Sequence, residues 1–422
     1  MTVATFGNFL KSLSNNTALL HNPTIHQGKL ALVLGNESAD LDSMVSSVGL
    51  AYALSAQYPD TQHIPVINVN RSDLALRPEC DLLLRETLMT EGGSIGDLTF
   101  IDDFNLQMVT DQGDIGIWLA DHNAPASRQS FLERYVVGIV DHHADEGKSQ
   151  GAKVRQIETV GSCATLVAER IKGLGDLVEP TLARMLLAPI LIDTTNLSPA
   201  AKRATPKDID MAGWLTPQVD WTPMAEGNVT ADNETLAVAD PAQLFKTLDK
   251  LKGKVSHLSS RDLLRKDYKQ WQVADPSGTA WSVGISSISY RLKKWLKRDG
   301  KKDIKNAIQS WVAEQDLDIA LVMTHGKVKD ESGEKAYGRE LLVVFPESTD
   351  KAVVDKQEKV LRALRDTEEL ELAEFYDPAK PEYLFFVQQK TEASRKQVFP
   401  AVKAIIEGID CSEQQPVARP SL

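Results

Sequence analysis

Four short segments of this chain gather side chains that divalent cations accept: "GNESADLDS" (35–43), "LADHN" (119–123), "IVDHHADEG" (139–147) and "LIDTTNL" (191–197). Each contains one or two Asp, the second and third add His, and none contains Cys. Carboxylate oxygen with some imidazole nitrogen suits Mn²⁺ or Mg²⁺ better than structural zinc. A carboxylate can also bridge two cations, which a neutral side chain generally cannot. Two ions about 3.5–4 Å apart share a water, make it hydroxide near neutral pH, and stabilise the attacking and leaving oxygens at phosphorus. Taken singly, each segment reads equally well as a turn or a helix cap, and the paired His as a hydrogen-bonded cluster. All four in order, each behind an apolar run, point to one site.

Those runs also indicate what positions the side chains. "LALVLG" (30–35), "PVINV" (65–69), "LTFID" (98–102), "IGIWLA" (115–120) and "VVGIV" (136–140) alternate with helix-like stretches. This is the rhythm of an α/β fold with a mostly parallel sheet flanked by helices. Asn36, Asp102, Asp121 and Asp141 follow the runs. In open parallel sheets the ligand crevice lies outside the carboxyl ends of the strands, so these residues are expected on one rim. The fourth segment is likewise read as a strand end, behind a helix-compatible stretch at Thr181–Ala188. Periodicity then fades among scattered Pro, Gly, Asn and Asp. The resulting division is a metal-binding catalytic domain at 1–215, a linker at 216–245, and a smaller mixed α/β domain at 246–422. In the last part a helix is expected at Pro241–Lys250, with strands at "AWSVGISSI", "DIALVMTHG", "RELLVVF" and "YLFFV".

At 422 residues, with 42% apolar and 25% charged residues, the chain calls for two cores. The longest apolar runs fall far short of the roughly 20 residues that span a bilayer, so no membrane association is expected. Cys80, Cys163 and Cys411 share no metal spacing and suggest a reducing compartment. The N-terminus lacks the pattern of a secretion signal, and residues 1–29 carry no Asp or Glu and only Lys11 and Lys29 as Lys or Arg. The expected location is the cytoplasm, with the mitochondrion as the alternative. A net charge of −12 argues against a general nucleic-acid-binding surface, and no stable nucleic-acid partner is expected. The charge is uneven: residues 246–306 hold sixteen Lys or Arg against six Asp or Glu, leaving the rest at −22. An acidic half could hold cations and a basic half a polyanion, although "RLKKWLKRDGKKDIK" also reads as a solvated helix and turn.

"NESADLDS", "DHN", "VDHH" and "LIDTTN" resemble the four ordered motifs of DHH phosphoesterases. The second half resembles the DHHA2-type domain of family II inorganic pyrophosphatases and fungal-type cytosolic exopolyphosphatases. It does so through "RKDYKQW" (265–271), "GRELLVVF" (338–345) and, most specifically, "ASRKQVFP" (393–400). The glycine-rich C-terminal motif of RecJ-type exonucleases is not found. The resemblance implies two divalent ions, Mg²⁺ or Mn²⁺, with Asp40 on one, Asp42, His142 and Asp193 on the other, and Asp121 as the bridge. It also implies that His143 faces substrate, that Asp141 orients a histidine, and that Lys269, Arg339, Arg395 and Lys396 bind phosphate. Where the pyrophosphatases place a histidine ligand, this chain has Asn36, the exopolyphosphatase pattern; His122 keeps the pyrophosphatase-like "DHN".

The resemblance therefore implies an exopolyphosphatase that removes terminal phosphates from inorganic polyphosphate, its substrate and partner; a monomer is expected. The alternatives are a manganese-dependent pyrophosphatase, a prune-like or nanoRNase-like nucleotide phosphoesterase, and a catalytically quiet polyanion-binding adaptor.

Overall fold

Short aliphatic strands separated by helices form an all-parallel sheet in the first half of the chain. The computed structural model describes residues 5–21, 29–112, 115–175, 178–222, 236–329, 335–374 and 384–409. The first sheet contains β1 (Lys29–Leu34), β2 (Thr61–Ile67), β3 (Thr99–Phe100), β4 (Ile115–Ala120), β5 (Val136–Asp141) and β6 (Val154–Ile157). Their order is β3-β2-β1-β4-β5-β6, with every neighbouring pair parallel. The order reverses between β1 and β4, and ligands bind open parallel sheets at such a switch point, beyond the strands' carboxyl ends. Asn36 and Asp121 stand just past the ends of these two strands.

Alternation along β1 fixes the layers. Ala31 and Val33 face one core, which they share with the helices Leu41–Gln57, Cys163–Gly173 and Pro180–Asp193, while Leu30, Leu32 and Leu34 face the other. The helix Leu41–Gln57 is buried from Leu41 to Leu54, and it can approach the strand because Gly35 carries no Cβ. A Cβ there would stand 2.6 Å from Ser43 Oγ. Asp40 caps this helix, accepting from Ser43 N at 3.1 Å.

The fourth acidic segment departs from the strand expected of it. Leu191, Ile192 and Asp193 form the last turn of the helix Pro180–Asp193, which is buried from Thr181 to Ile192. A helix apolar all round presents a continuous apolar run, and such a run does not distinguish it from a buried strand. Past Asp193 the backbone turns through three left-handed residues, Thr195, Asn196 and Leu197.

The chain separates into two compact units, Met1–Val255 and Ser256–Leu422. Of the stretch expected as a linker, residues 223–235 lie outside the described residues. Leu236 and Val238 are buried in the first unit's core, as are Leu244, Leu248 and Leu251 of the helix Pro241–Lys252. The first unit thus extends through this helix.

The second unit is built on a mixed sheet of β7 (Tyr268–Ala274), β8 (Ala280–Ile288), β9 (Ile319–Lys329), β10 (Lys335–Val344), β11 (Leu372–Glu374) and β12 (Leu384–Gln388). The order is β11-β12-β10-β9-β8-β7, and only β8 and β9 run parallel. Val283, Ile285, Leu321, Met323, Leu341 and Phe386 pack against the helices Lys351–Arg365 and Arg395–Glu407. Among the described residues no helix is long and apolar enough to cross a membrane.

Candidate metal centre

Asp121 occupies a left-handed conformation (φ 64°) directly after β4 and is 2% exposed. Its backbone N donates to Val140 O at 3.0 Å, which ties the turn to β5. Asn36 Nδ2 donates to its Oδ2 at 2.6 Å, and the other carboxylate oxygen, Oδ1, is buried without a hydrogen-bond partner. His142 Nε2 lies 3.3 Å from that oxygen and His143 Nδ1 3.7 Å from it. Asp121, His142 and His143 can converge on one ion.

Asn36 has its amide orientation fixed by its neighbours. Its Oδ1 accepts from Ser38 N (2.9 Å), Ser38 Oγ (2.8 Å) and Ala39 N (3.0 Å), so the NH₂ group must point towards Asp121. The turn from Asn36 to Asp40 is held further by Arg77, a 2% exposed residue whose Nη2 donates to Ser38 O at 2.6 Å.

Asp42, also 2% exposed, accepts from the first two amides of the helix Cys163–Gly173: Cys163 N at 2.6 Å and Ala164 N at 2.8 Å. The positive end of that helix favours the carboxylate. Burial nevertheless pushes the Asp42 carboxyl above the usual range, and neighbouring Asp40 adds to the shift against the lowering effect of His142. Burial, followed by repulsion from Asp42, likewise holds the Asp121 carboxyl well above the usual range. Burial and then Asp42 push Asp193, at the end of its helix, up to about 7. Asp40 acts on Asp42, Asp121 and Asp193 alike.

The two histidines are held differently. His142 Nδ1 donates to Val160 O at 2.9 Å, so Nε2 presents a lone pair towards Asp121 Oδ1 (3.3 Å) and Asp42 Oδ2 (3.7 Å). His143 Nδ1 lies 2.7 Å from Asp141 Oδ1, and its side chain is 24% exposed. Asp141 thus orients His143. Burial would raise the Asp141 carboxyl, but His143 first, and then His142 and Asn123, hold it well below the usual carboxylate range.

A lone pair facing carboxylate oxygens in a water-poor site is repulsive unless a proton or a cation lies between them. The unpartnered Asp121 Oδ1, the His142 lone pair and the buried Asp42 therefore fit a divalent cation. The structure brings together Asn36, Asp42, Asp121, His142 and His143, with Asp40 and Asp193 in electrostatic reach. Asp102 does not join them: β3 is an edge strand separated from β1 by β2, and Asp102 accepts from Arg71 N at 2.8 Å.

In the second unit, Arg339 on β10 stands in register with His325 and Gln388. It is 5% exposed and donates from Nε to Thr391 O at 2.6 Å. Arg395 and Lys396 open the helix Arg395–Glu407, whose N-terminus Ser394 and Gln397 close as a capping box. Arg395 pairs with Asp267 at 2.7 Å, two residues before Lys269 on β7. Arg395 and Lys396 at a helix N-terminus suit an anion.

Sequence reasoning gave no role to several supporting groups: Asn123, Arg77, the Val160 carbonyl and the Cys163 and Ala164 amides. Asn123 Nδ2 donates to Asp141 Oδ2 at 2.5 Å, and the only signal for it was its place in "DHN".

Comparison with known families matches residues 31–190 to the DHH family, N-terminal domain, and residues 246–405 to the DHHA2 domain. "Exopolyphosphatase PRUNE1" of Mus musculus is 32% identical over 297 residues, 70% of this chain and 59% of that protein, so this chain spans less than two thirds of that relative. The "Putative exopolyphosphatase" of Schizosaccharomyces pombe is 31% identical over 399 residues, covering 90% of this chain and 92% of that one. A crystal structure of a Methanococcus jannaschii "putative family II inorganic pyrophosphatase" has the same fold, with a TM-score of 0.57 and 21% identity over 89% of this chain and 99% of that one. With both domain models in order and a relative matched along nearly its whole length, the chain belongs to the DHH family, in the branch whose second domain is DHHA2.

Proposed function

We propose that this protein is an exopolyphosphatase that hydrolyses the terminal phosphoanhydride of inorganic polyphosphate and releases orthophosphate. The observation that carries the reading is the buried Asp121 carboxylate, with one oxygen unpartnered and turned to the His142 lone pair beside Asp42. Two divalent ions, Mg²⁺ or Mn²⁺, would be held by Asp40 on one side and by Asp42, His142 and Asp193 on the other, with Asp121 shared. When bound, such ions supply an activated water and neutralise charge at phosphorus.

The chain's own residues do the rest. Asn36 holds Asp121 in place through Oδ2, and Asp141 fixes the ring of His143, which donates to the phosphoryl oxygens of the terminal residue. Lys269, Arg339, Arg395 and Lys396 bind phosphate groups, with charge-assisted hydrogen bonds from the arginines and the lysines as point charges. The buried free thiols Cys80 and Cys163 support a reducing, cytoplasmic setting.

The likeness of fold to the M. jannaschii structure favours pyrophosphate hydrolysis as the second reading. Asn36 opposes it, because its oxygen already accepts three hydrogen bonds and offers no ligand atom. Orthophosphate release with Mg²⁺ or Mn²⁺ from long polyphosphate, tripolyphosphate, pyrophosphate and a short oligoribonucleotide decides between them. Turnover of the polyphosphates with pyrophosphate spared is expected, and Asp121→Ala should abolish it. Dominant pyrophosphate hydrolysis would overturn the substrate, and near-normal activity of Asp121→Ala would overturn the metal assignment.

A further inference from the structure

The helices Leu292–Asp299 and Lys301–Glu314 of the second unit hold seven Lys or Arg between positions 293 and 305 against two Asp. Asp299 is already engaged by Arg298 (2.5 and 2.6 Å), Ser260 Oγ (2.5 Å) and Trp295 Nε1 (3.1 Å). Lys293, Lys294, Lys297 and Lys302 are exposed, and none of the four makes an ion pair among the described residues.

The spacing matters more than the count. Other helices of this chain set opposite charges four residues apart: Arg85 with Asp81 at 2.6 Å, Arg362 with Glu358 at 3.1 Å, and Lys403 with Glu407 at 3.8 Å. Here Lys293 faces Lys297 four residues on, a like-charge pair that destabilises a helix and that an external anion would relieve. Of the apolar residues of the two helices, Leu292, Trp295, Ile304, Ile308 and Trp311 are buried and Leu296 is half-buried. The exposed positions of the two helices therefore offer ammonium groups and no aromatic ring; the neighbouring half-buried Tyr290 is covered by Arg298. A polyanion made of phosphate alone fits that chemistry.

We propose that this face is an outlying docking surface for a long inorganic polyphosphate chain, additional to Arg339, Arg395 and Lys396. The choice of polyphosphate as the polyanion rests on the function proposed above. The test compares the full-length protein with its K293Q/K294Q/K297Q/K302Q variant in two measurements. In the first, binding of fluorescently labelled long-chain polyphosphate is titrated over a salt series. The variant should bind at least about five-fold more weakly, and its log-log salt slope should fall by about 2 to 3. Equal affinity and slope would overturn the proposal, as would single-stranded RNA or anionic vesicles displacing the polyphosphate at equal charge concentration. In the second, orthophosphate release is followed: KM for the long chain should rise while tripolyphosphate turnover is unchanged. An equal loss on both substrates would also overturn it. A wild type that binds the long chain but hydrolyses no polyphosphate would sink the proposed reaction while leaving the surface in place.

Discussion

Asn36 Nδ2 donates to Asp121 Oδ2 at 2.6 Å while Asn36 Oδ1 accepts three hydrogen bonds, so this amide serves as a bracket for the carboxylate. Asn36→Leu keeps the size but removes the amide that holds the carboxylate, without adding a charge. We expect divalent-metal affinity to fall about 10- to 100-fold, with a comparable loss in kcat. Titrating activity against Mn²⁺ checks this, and an unchanged metal midpoint would remove the bracket role.

Asn123 supports His143 at one remove. It donates to Asp141 Oδ2 (2.5 Å) and Ala144 O (2.9 Å) and accepts from Glu146 N (2.8 Å). Asn123→Ala should lower kcat about ten-fold, shift the pH–rate profile, and cost about 1–2 kcal/mol of stability. A stability loss without any change in the pH profile would make the residue merely structural.

Metal removal should be visible without turnover. Cation binding relieves the apposition of His142 Nε2 with Asp121 and Asp42, so the folded state gains about 2.7 kcal/mol at one hundred times the dissociation constant. Unfolding followed by circular dichroism should show Tm rising by a few degrees from chelator to saturating Mn²⁺. Asp121→Ala should lose most of that rise, and a Tm indifferent to metal in the parent protein would contradict the site.

His63, on β2 and 4% exposed, lies outside this chemistry. Burial lowers its pKa to about 4. The unfolded chain, with an ordinary value near 6.5, binds the extra proton between these limits, so stability falls as pH drops from about 6.5 to about 4. The contribution is on the order of 3 kcal/mol across the window. Between pH 7 and pH 5 the parent should lose denaturant stability relative to His63→Leu; a difference between the two that does not change with pH would refute the assignment.

The strands that precede the candidate ligands were legible because each side chain follows a compact run of aliphatic residues. "IGIWLA" and "VVGIV" correspond to β4 and β5. The helix ending in Asp193 was misread because its buried surface leaves no polar face to betray a 3.6-residue period. Asp42 and His142 announce themselves as side chains. Their partners, the Cys163 and Ala164 amides and the Val160 carbonyl, are backbone groups that any residue could supply. Only the fold shows that a helix beginning more than a hundred positions later points its N-terminus at Asp42.

The turn between β1 and its following helix has almost nothing left to rearrange. Asn36 N donates to Ser43 Oγ (2.7 Å), Ser43 N donates to Asp40 Oδ1 (3.1 Å), and Arg77 grips Ser38 O (2.6 Å). An ion bound as proposed would meet Asp40 already in place, so the speed of its uptake would be set by how quickly it sheds its own hydration shell. Mg²⁺ gives up water reluctantly. The enzyme should therefore be armed faster by Mn²⁺ than by Mg²⁺ at equal concentration, whichever ion it retains more tightly.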